Sequence, residues 1–245
     1  MNLTKDQELV CGINAVNEII EIRPWSVTTL FIENDKGKRT EDLIQLAEKN
    51  GIQVTLSNRS FFLKNFPEMN HQYVGIICHK RLEENENFLN TIIEKDNLLI
   101  LILEHITDPH NVGACIRSAA AAGVDAVIVP KNRSCHLTPT VRKISSGGAE
   151  LIPFVVVTNI VRTINKLQSA GVMVYGTDME AFKLHNEINY GKKSALIVGS
   201  EDKGLKRLTL ENCDDIIKVK MPGRIESLNA SVSAGIMLFQ MINQK

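Results

Sequence analysis

Apolar and polar positions divide this chain into two α/β stretches separated by a polar interval. In the first stretch, Val16, Ile19 and Ile20 recur at helical spacing over residues 14–22, and Pro24 stops the helix. Strands are predicted over 28–32, 52–56 and 73–78. Thr40 reads as the N-cap of a helix over 41–50, whose apolar face is Leu43, Ile44, Leu46 and Ala47 and which ends at Gly51. Between Lys80 and Asn97 the composition turns polar, with Glu83, Glu84, Asn85, Glu86 and Asn87 in a row. This interval (80–97) is expected to link a unit at 1–79 to a second at 98–245. The second unit has strands over 98–103, 126–129, 154–157, 172–175 and 195–198 that are apolar on both faces, and a more mixed one over 216–219. Helices are predicted over 111–122, 161–170 and 230–240. Buried strands alternating with helices predict an α/β fold whose parallel sheet is covered on both sides.

Composition narrows the class further. Of the 245 residues 44% are hydrophobic and 23% charged, an ordinary globular balance. The formal net charge of +0 means that any nucleic acid would have to be held by local basic patches. The five cysteines form no CxxC pair and the six histidines no i, i+4 pair, so reduced thiols in a cytoplasmic protein are expected, with no metal site. The polar start, Met1 to Glu8, predicts no signal peptide, and no apolar run is long enough to span a bilayer.

Three segments place glycine and polar residues where an apolar strand hands over to a loop, which is where open α/β sheets build their sites. The first runs from Asp108 through Asn111 to Arg117. Asp108 can cap and Pro109 suits a first helical turn, so helix initiation explains these two. It does not explain Arg117 among alanines, where a partly buried guanidinium would need an acceptor. At about 100° per residue, Arg117 lies about 120° around the helix from Asn111. The second segment, Gly199-Ser200-Glu201-Asp202-Lys203-Gly204, lets a ligand approach the backbone but also fits a solvated turn. It is not a Walker A loop, and the chain has no GxGxxG. The third, Ser227-Leu228-Asn229-Ala230-Ser231, precedes the last helix; capping needs only one of its hydroxyl or amide side chains. His105, His110 and His136 have no telling partners in the sequence.

The three segments in this order resemble the SpoU/TrmH family of RNA ribose methyltransferases, in the SPOUT superfamily. Thr107-Asp108-Pro109-His110-Asn111, the stretch Ala126 to Lys131 and Gly12-Ile13-Asn14-Ala15-Val16 look particularly like its members that act on a guanosine of 23S rRNA. The resemblance implies a cytoplasmic homodimer that uses S-adenosyl-L-methionine. It also implies a trefoil-knotted catalytic domain behind a ribosomal-protein-like RNA-binding domain, with the site near the subunit interface. It assigns Asn111, Arg117, Glu201, Ser227 and Asn229 to catalysis, and Gly199, Val219, Met221 and Leu228 to the cofactor. The third block departs from the family's Ile-Pro-Met and Ser-Leu-Asn-Val-Ser, reading Val219-Lys220-Met221-Pro222 and Ser227-Leu228-Asn229-Ala230-Ser231.

The reaction so implied is 2′-O-methylation of a ribose in the peptidyl-transferase region, with Arg117 either taking the hydroxyl proton or remaining charged to stabilise the alkoxide. Lys36, Lys38, Arg39, Lys131, Arg133, Arg142 and Lys143 are expected to meet RNA phosphates. A tRNA ribose methyltransferase, a silent ribosome-assembly factor and a nucleotide-binding enzyme of ordinary doubly wound topology are the competing readings.

Overall fold

The computed structural model describes residues 3–33, 38–67, 71–225 and 227–244, without the side chains of residues 38 and 39. The N-terminal unit runs β1 (Gln7–Cys11), α1 (Ile13–Ile22), β2 (Val27–Glu33), α2 (Lys38–Lys49), β3 (Gln53–Ser57), α3 (Arg59–Asn65) and β4 (Val74–His79). Its sheet has the order β1-β4-β2-β3, antiparallel except for the β2–β3 pair. Val16, Ile19 and Ile20 of α1 pack with Leu30, Ile32, Val74 and Ile76 in one core. On β2, Phe31 belongs instead to a second cluster with Phe62 and Phe66. Alternate strand positions thus feed two cores, as a period of two requires.

The second unit begins earlier than its apolar pattern. Within the polar interval, β5 (Glu84–Asn85) pairs with a strand of the larger sheet and α4 (Leu89–Ile92) buries Leu89 and Ile92. There follow β6 (Leu98–Glu104), α5 (Pro109–Ala121), β7 (Ala126–Pro130), α6 (Pro139–Ile144), α7 (Gly148–Leu151), β8 (Phe154–Val157), α8 (Ile160–Ser169), β9 (Met173–Thr177), β10 (Lys183–Leu184), β11 (Lys193–Gly199), α9 (Arg207–Asn212), β12 (Asp215–Lys218) and α10 (Ala230–Ile242). The eight strands have the order β10-β12-β9-β11-β6-β7-β8-β5, and every pair is parallel. Leu99, Leu101 and Leu103 of β6 enter a core with α5 and α10, while Leu98, Ile100 and Ile102 enter the opposite core with α4 and α8. Burial on both faces is why this strand reads as an unbroken apolar run. No described helix is long and apolar enough to cross a membrane.

The two units meet across a polar, buried seam. Glu150 Oε2 accepts from Arg23 Nε at 2.7 Å, and Glu150 Oε1 from Arg142 Nη1 at 2.6 Å. Glu8 adds a second carboxylate, 3.4 Å from Arg142 Nε. Arg142 Nη2 donates to the Arg81 carbonyl at 3.0 Å, and Arg81 in turn donates to the Ala149 carbonyl. Burial works against the charge of Arg23, but the Glu150 carboxylate outweighs it and the guanidinium titrates above its usual value. For Glu8 burial wins instead: it exceeds the help of its arginines, disfavours the carboxylate and raises the pKa. The backbones also approach closely here: Gly147 has φ +95°, and a Cβ on it would lie 2.2 Å from Glu18 Cγ.

This seam corrects one expectation. Arg142 does not face RNA; it is 2% exposed and ion-paired. The capped turn at Thr138 starts α6 so that position 142 points inward, toward Glu150 and Glu8.

Candidate functional site

The order β9-β11-β6-β7 contains a reversal. The chain leaving β6 passes through α5 to β7 on one side, and the chain leaving β11 passes through α9 to β12 on the other. Such a reversal opens a crevice at the carboxyl ends of the two strands, where open α/β sheets bind ligands. The first two motifs leave these two strand ends, whose last residues, Glu104 and Gly199, are paired in register.

The side chains of all three motifs converge there. Glu201 Oε1 accepts from Asn111 Nδ2 at 3.2 Å, from Asn229 Nδ2 at 2.5 Å and from the Ala230 N–H at 3.1 Å. Asn229 Nδ2 also donates to Asn111 Oδ1 at 2.8 Å. Asn229 both caps a helix, as the capping reading expects, and joins the polar cluster. Its oxygen caps α10, accepting from Ser231 N and Oγ at 2.9 and 2.5 Å, while its amide nitrogen joins the cluster. Beneath the site, burial pushes the Cys115 thiol up to about 12, and the Glu201 charge adds to the shift, so this cysteine is no nucleophile at neutral pH.

Two catalytic candidates stay outside the cluster. Ser227 is exposed, with no hydrogen bond among the described residues. Arg117, expected to be partly buried, is exposed in the single chain and pairs with no described residue. The helix geometry explains this. α10 covers the Ser118 side of α5, where Gly235 approaches Ser118 Oγ, and leaves position 117 open.

Gly199 is required by close approach. A Cβ there would lie 2.3 Å from the Gly204 carbonyl carbon and 2.6 Å from Leu205 N, because the loop folds back and Gly204 N donates to Ser200 O at 2.8 Å. Val219, Met221 and Leu228 are half-buried on the chain that leads into α10. Lys131 and Arg133 are exposed on the loop after β7, and Lys143 is half-buried. Lys36 lies outside the described residues, as do the side chains of Lys38 and Arg39.

Sequence reasoning missed Glu104. It is buried at the end of β6, where Oε2 accepts from Lys206 N at 3.0 Å and Oε1 from Thr209 Oγ1 at 2.8 Å, fixing the start of α9. Its signal was a carboxylate closing an otherwise apolar strand. His136, which has no telling partner in the sequence, meets Glu83, whose Oε2 lies 2.8 Å from its Nδ1.

Residues 98–239 match the SpoU rRNA Methylase family, and residues 9–82 match the RNA 2′-O ribose methyltransferase substrate binding domain. The chain belongs to the SpoU methylase family. Among SpoU relatives, the 23S rRNA (guanosine-2′-O-)-methyltransferase RlmB of Coxiella burnetii is 40% identical, covering 96% of this chain and 95% of its own. RlmB of Escherichia coli K12 is 39% identical, with coverage of 97% and 99%. In structure, the chain is similar to the SpoU methyltransferase AviRb of Streptomyces viridochromogenes in complex with AdoMet. That likeness has a TM-score of 0.80 at 22% identity and covers 98% of this chain and 90% of AviRb.

Proposed function

We propose that this SpoU protein transfers a methyl group from S-adenosyl-L-methionine to the ribose 2′-oxygen of a guanosine in 23S rRNA, in the cytoplasm. The observation that carries the proposal is the Asn111–Glu201–Asn229 cluster at the β6–β11 crevice, in a chain that matches RlmB proteins over nearly its whole length. In this reading residues 1–79 bind RNA, and 98–245 form the knotted catalytic unit.

The residues present suit the cofactor. The Gly199–Gly204 loop turns back on itself tightly enough to require glycine at 199 and presents polar backbone at the strand end, and Val219, Met221 and Leu228 add apolar surface for a nucleoside. When bound, S-adenosylmethionine supplies an electrophilic methyl group whose leaving thioether is neutral and needs no acid. The protein's task is the nucleophile. A hydrated guanidinium keeps its charge, so Arg117 serves as a donor that steadies the developing alkoxide and a neighbouring phosphate while the hydroxyl proton passes to solvent. Asn111, Glu201 and Asn229 hold one another and orient the ribose, with Ser227 as a further hydroxyl. Lys131, Arg133 and Lys143, with Lys36, Lys38 and Arg39, meet phosphates. Val232, Ile236 and Phe239 form an exposed apolar row along α10, and in this reading a second copy covers it.

The test is incubation of purified protein with methyl-labelled S-adenosylmethionine and 23S rRNA from cells lacking the gene, with bulk tRNA in parallel and mass-spectrometric mapping. One labelled guanosine in 23S rRNA supports the proposal. Label confined to tRNA retains the chemistry and overturns the substrate. No label and no cofactor binding favours a silent RNA-binding factor.

A further inference from the structure

The chain has a single tryptophan, Trp25, and it is 80% exposed. An indole buries a large apolar area when it is covered, so leaving one in water forgoes a sizeable stabilisation. Trp25 stands on a rigid turn. Pro24 opens a short 3₁₀ turn, Ser26 N and Oγ donate to the Arg23 carbonyl at 3.0 and 2.8 Å, and Arg23 Nη1 donates back to Ser26 Oγ at 3.1 Å. Arg23 is itself fixed by Glu150 and by the His79 carbonyl at 2.6 Å. The turn is thus tied to both units.

Two more large apolar side chains flank the same seam. Leu82 is 82% exposed and follows Arg81, and Leu151 is 55% exposed and follows Glu150. Beneath them, three guanidiniums (Arg23, Arg81 and Arg142) oppose two carboxylates (Glu8 and Glu150). Lys80 adds an exposed ammonium beside His79, while Asp6, paired with His79, and Glu84, near Arg81, balance these cations. A rigid, exposed aromatic face is the surface on which an unpaired base stacks. Trp25 also lies within the segment that matches a substrate-binding domain.

We propose that Trp25 is a stacking platform for an unpaired nucleotide of the RNA substrate, held on a turn that the seam ties to the catalytic unit. This rests on the rRNA reading above. The platform contributes to RNA binding and takes no part in the chemistry.

The single indole makes the test direct. Titration of the full chain with 23S rRNA is expected to quench its fluorescence saturably, as is titration with a short unpaired oligoribonucleotide, whereas a duplex of the same sequence should not. Trp25→Ala should raise KM for rRNA about tenfold with kcat unchanged, since a base–aromatic stack is worth about that factor. Trp25→Phe should recover most of the loss. Methylation without quenching, or an unchanged KM in Trp25→Ala, overturns the platform while leaving the rRNA reading intact. Quenching by assembled ribosomal particles but not by naked RNA overturns it in favour of a protein partner. Absence of methylation, binding and quenching together withdraws the rRNA reading and the platform with it.

Discussion

Gly199→Ala is the smallest perturbation that tests the cofactor cradle. The added Cβ would sit 2.3 Å from both the carbon and the oxygen of the Gly204 carbonyl and 2.6 Å from Leu205 N. Ordinary van der Waals contact begins about 3.4 Å away, so the loop must retreat by roughly 1 Å, and the atoms in the way are backbone. Overpacking of this kind costs about 1–3 kcal/mol. Gly199 is also hydrogen-bonded in β11, in register with Glu104, so the strand cannot move instead. The loop therefore yields, and with it the surface proposed to hold S-adenosylmethionine. At about 1.4 kcal/mol per tenfold, the dissociation constant should rise about 5- to 140-fold by titration calorimetry, with the far-ultraviolet circular dichroism unchanged. Gly191→Ala is the control, because its Cβ would meet nothing closer than 3.9 Å. Cofactor affinity within twofold of wild type in Gly199→Ala would refute the reasoning.

Arg117→Ala should bind the cofactor normally yet lose methyl transfer by about 100-fold or more, as expected for a transition-state donor; a loss confined to KM would make Arg117 a substrate-binding residue instead. Glu150→Gln leaves Arg23 and Arg142 without their shared carboxylate inside the seam. It should destabilise the protein by about 3–5 kcal/mol, or roughly 6–20 °C in melting temperature by calorimetry. For His136, partial burial lowers the pKa, but the hydrogen bond and charge of Glu83 outweigh it and the net shift is upward. Its stabilisation is therefore fully present below the unfolded value of about 6.5 and fades as pH rises through the higher folded value. An NMR titration should place the His136 midpoint above that of Glu83→Gln. Ile236→Asp should abolish the proposed dimer in sedimentation, since it puts a charge in the centre of the exposed apolar row of α10.

The parts of the fold that were legible in sequence are those where one physical rule dominates. β6, β7, β8 and β11 are buried on both faces, so their apolar runs announced them to within a few residues. β1 escaped notice because it begins Gln7-Glu8, and Glu8 is polar for a reason outside its own strand: it meets arginines from the seam. α3 was missed because it is short and its apolar residues Phe61-Phe62-Leu63 are consecutive, without helical spacing; Phe62, with Phe66 at its C-cap, serves a small second cluster. The convergence of Asn111, Glu201 and Asn229 was legible from the family's motif order, but not its cause. Strand order is set by long-range packing, and nothing in a sequence states that β6 and β11 are neighbours that diverge. Arg142 shows the limit most plainly, because a lysine- and arginine-bearing turn looks the same whether its cations face water or a buried carboxylate.

The hydrogen bonds already made inside the site define what it has left to offer. Three donors converge on Glu201 Oε1, and no described residue bonds its second oxygen. Asn229 spends its oxygen on the cap and its nitrogen on the cluster, so neither asparagine has a fully free side chain. What stays open is a carboxylate oxygen, the Ser227 hydroxyl and, around the helix, the Arg117 guanidinium. A free carboxylate oxygen accepts from a donor, and a ribose hydroxyl is one; a free guanidinium seeks an anion, and a phosphodiester is one. The two needs occur together on each nucleotide of an RNA backbone. The division of the site into a self-bonded polar cluster and an unpaired cation on the neighbouring face of α5 thus matches a nucleotide whose sugar enters the crevice while its phosphate stays outside.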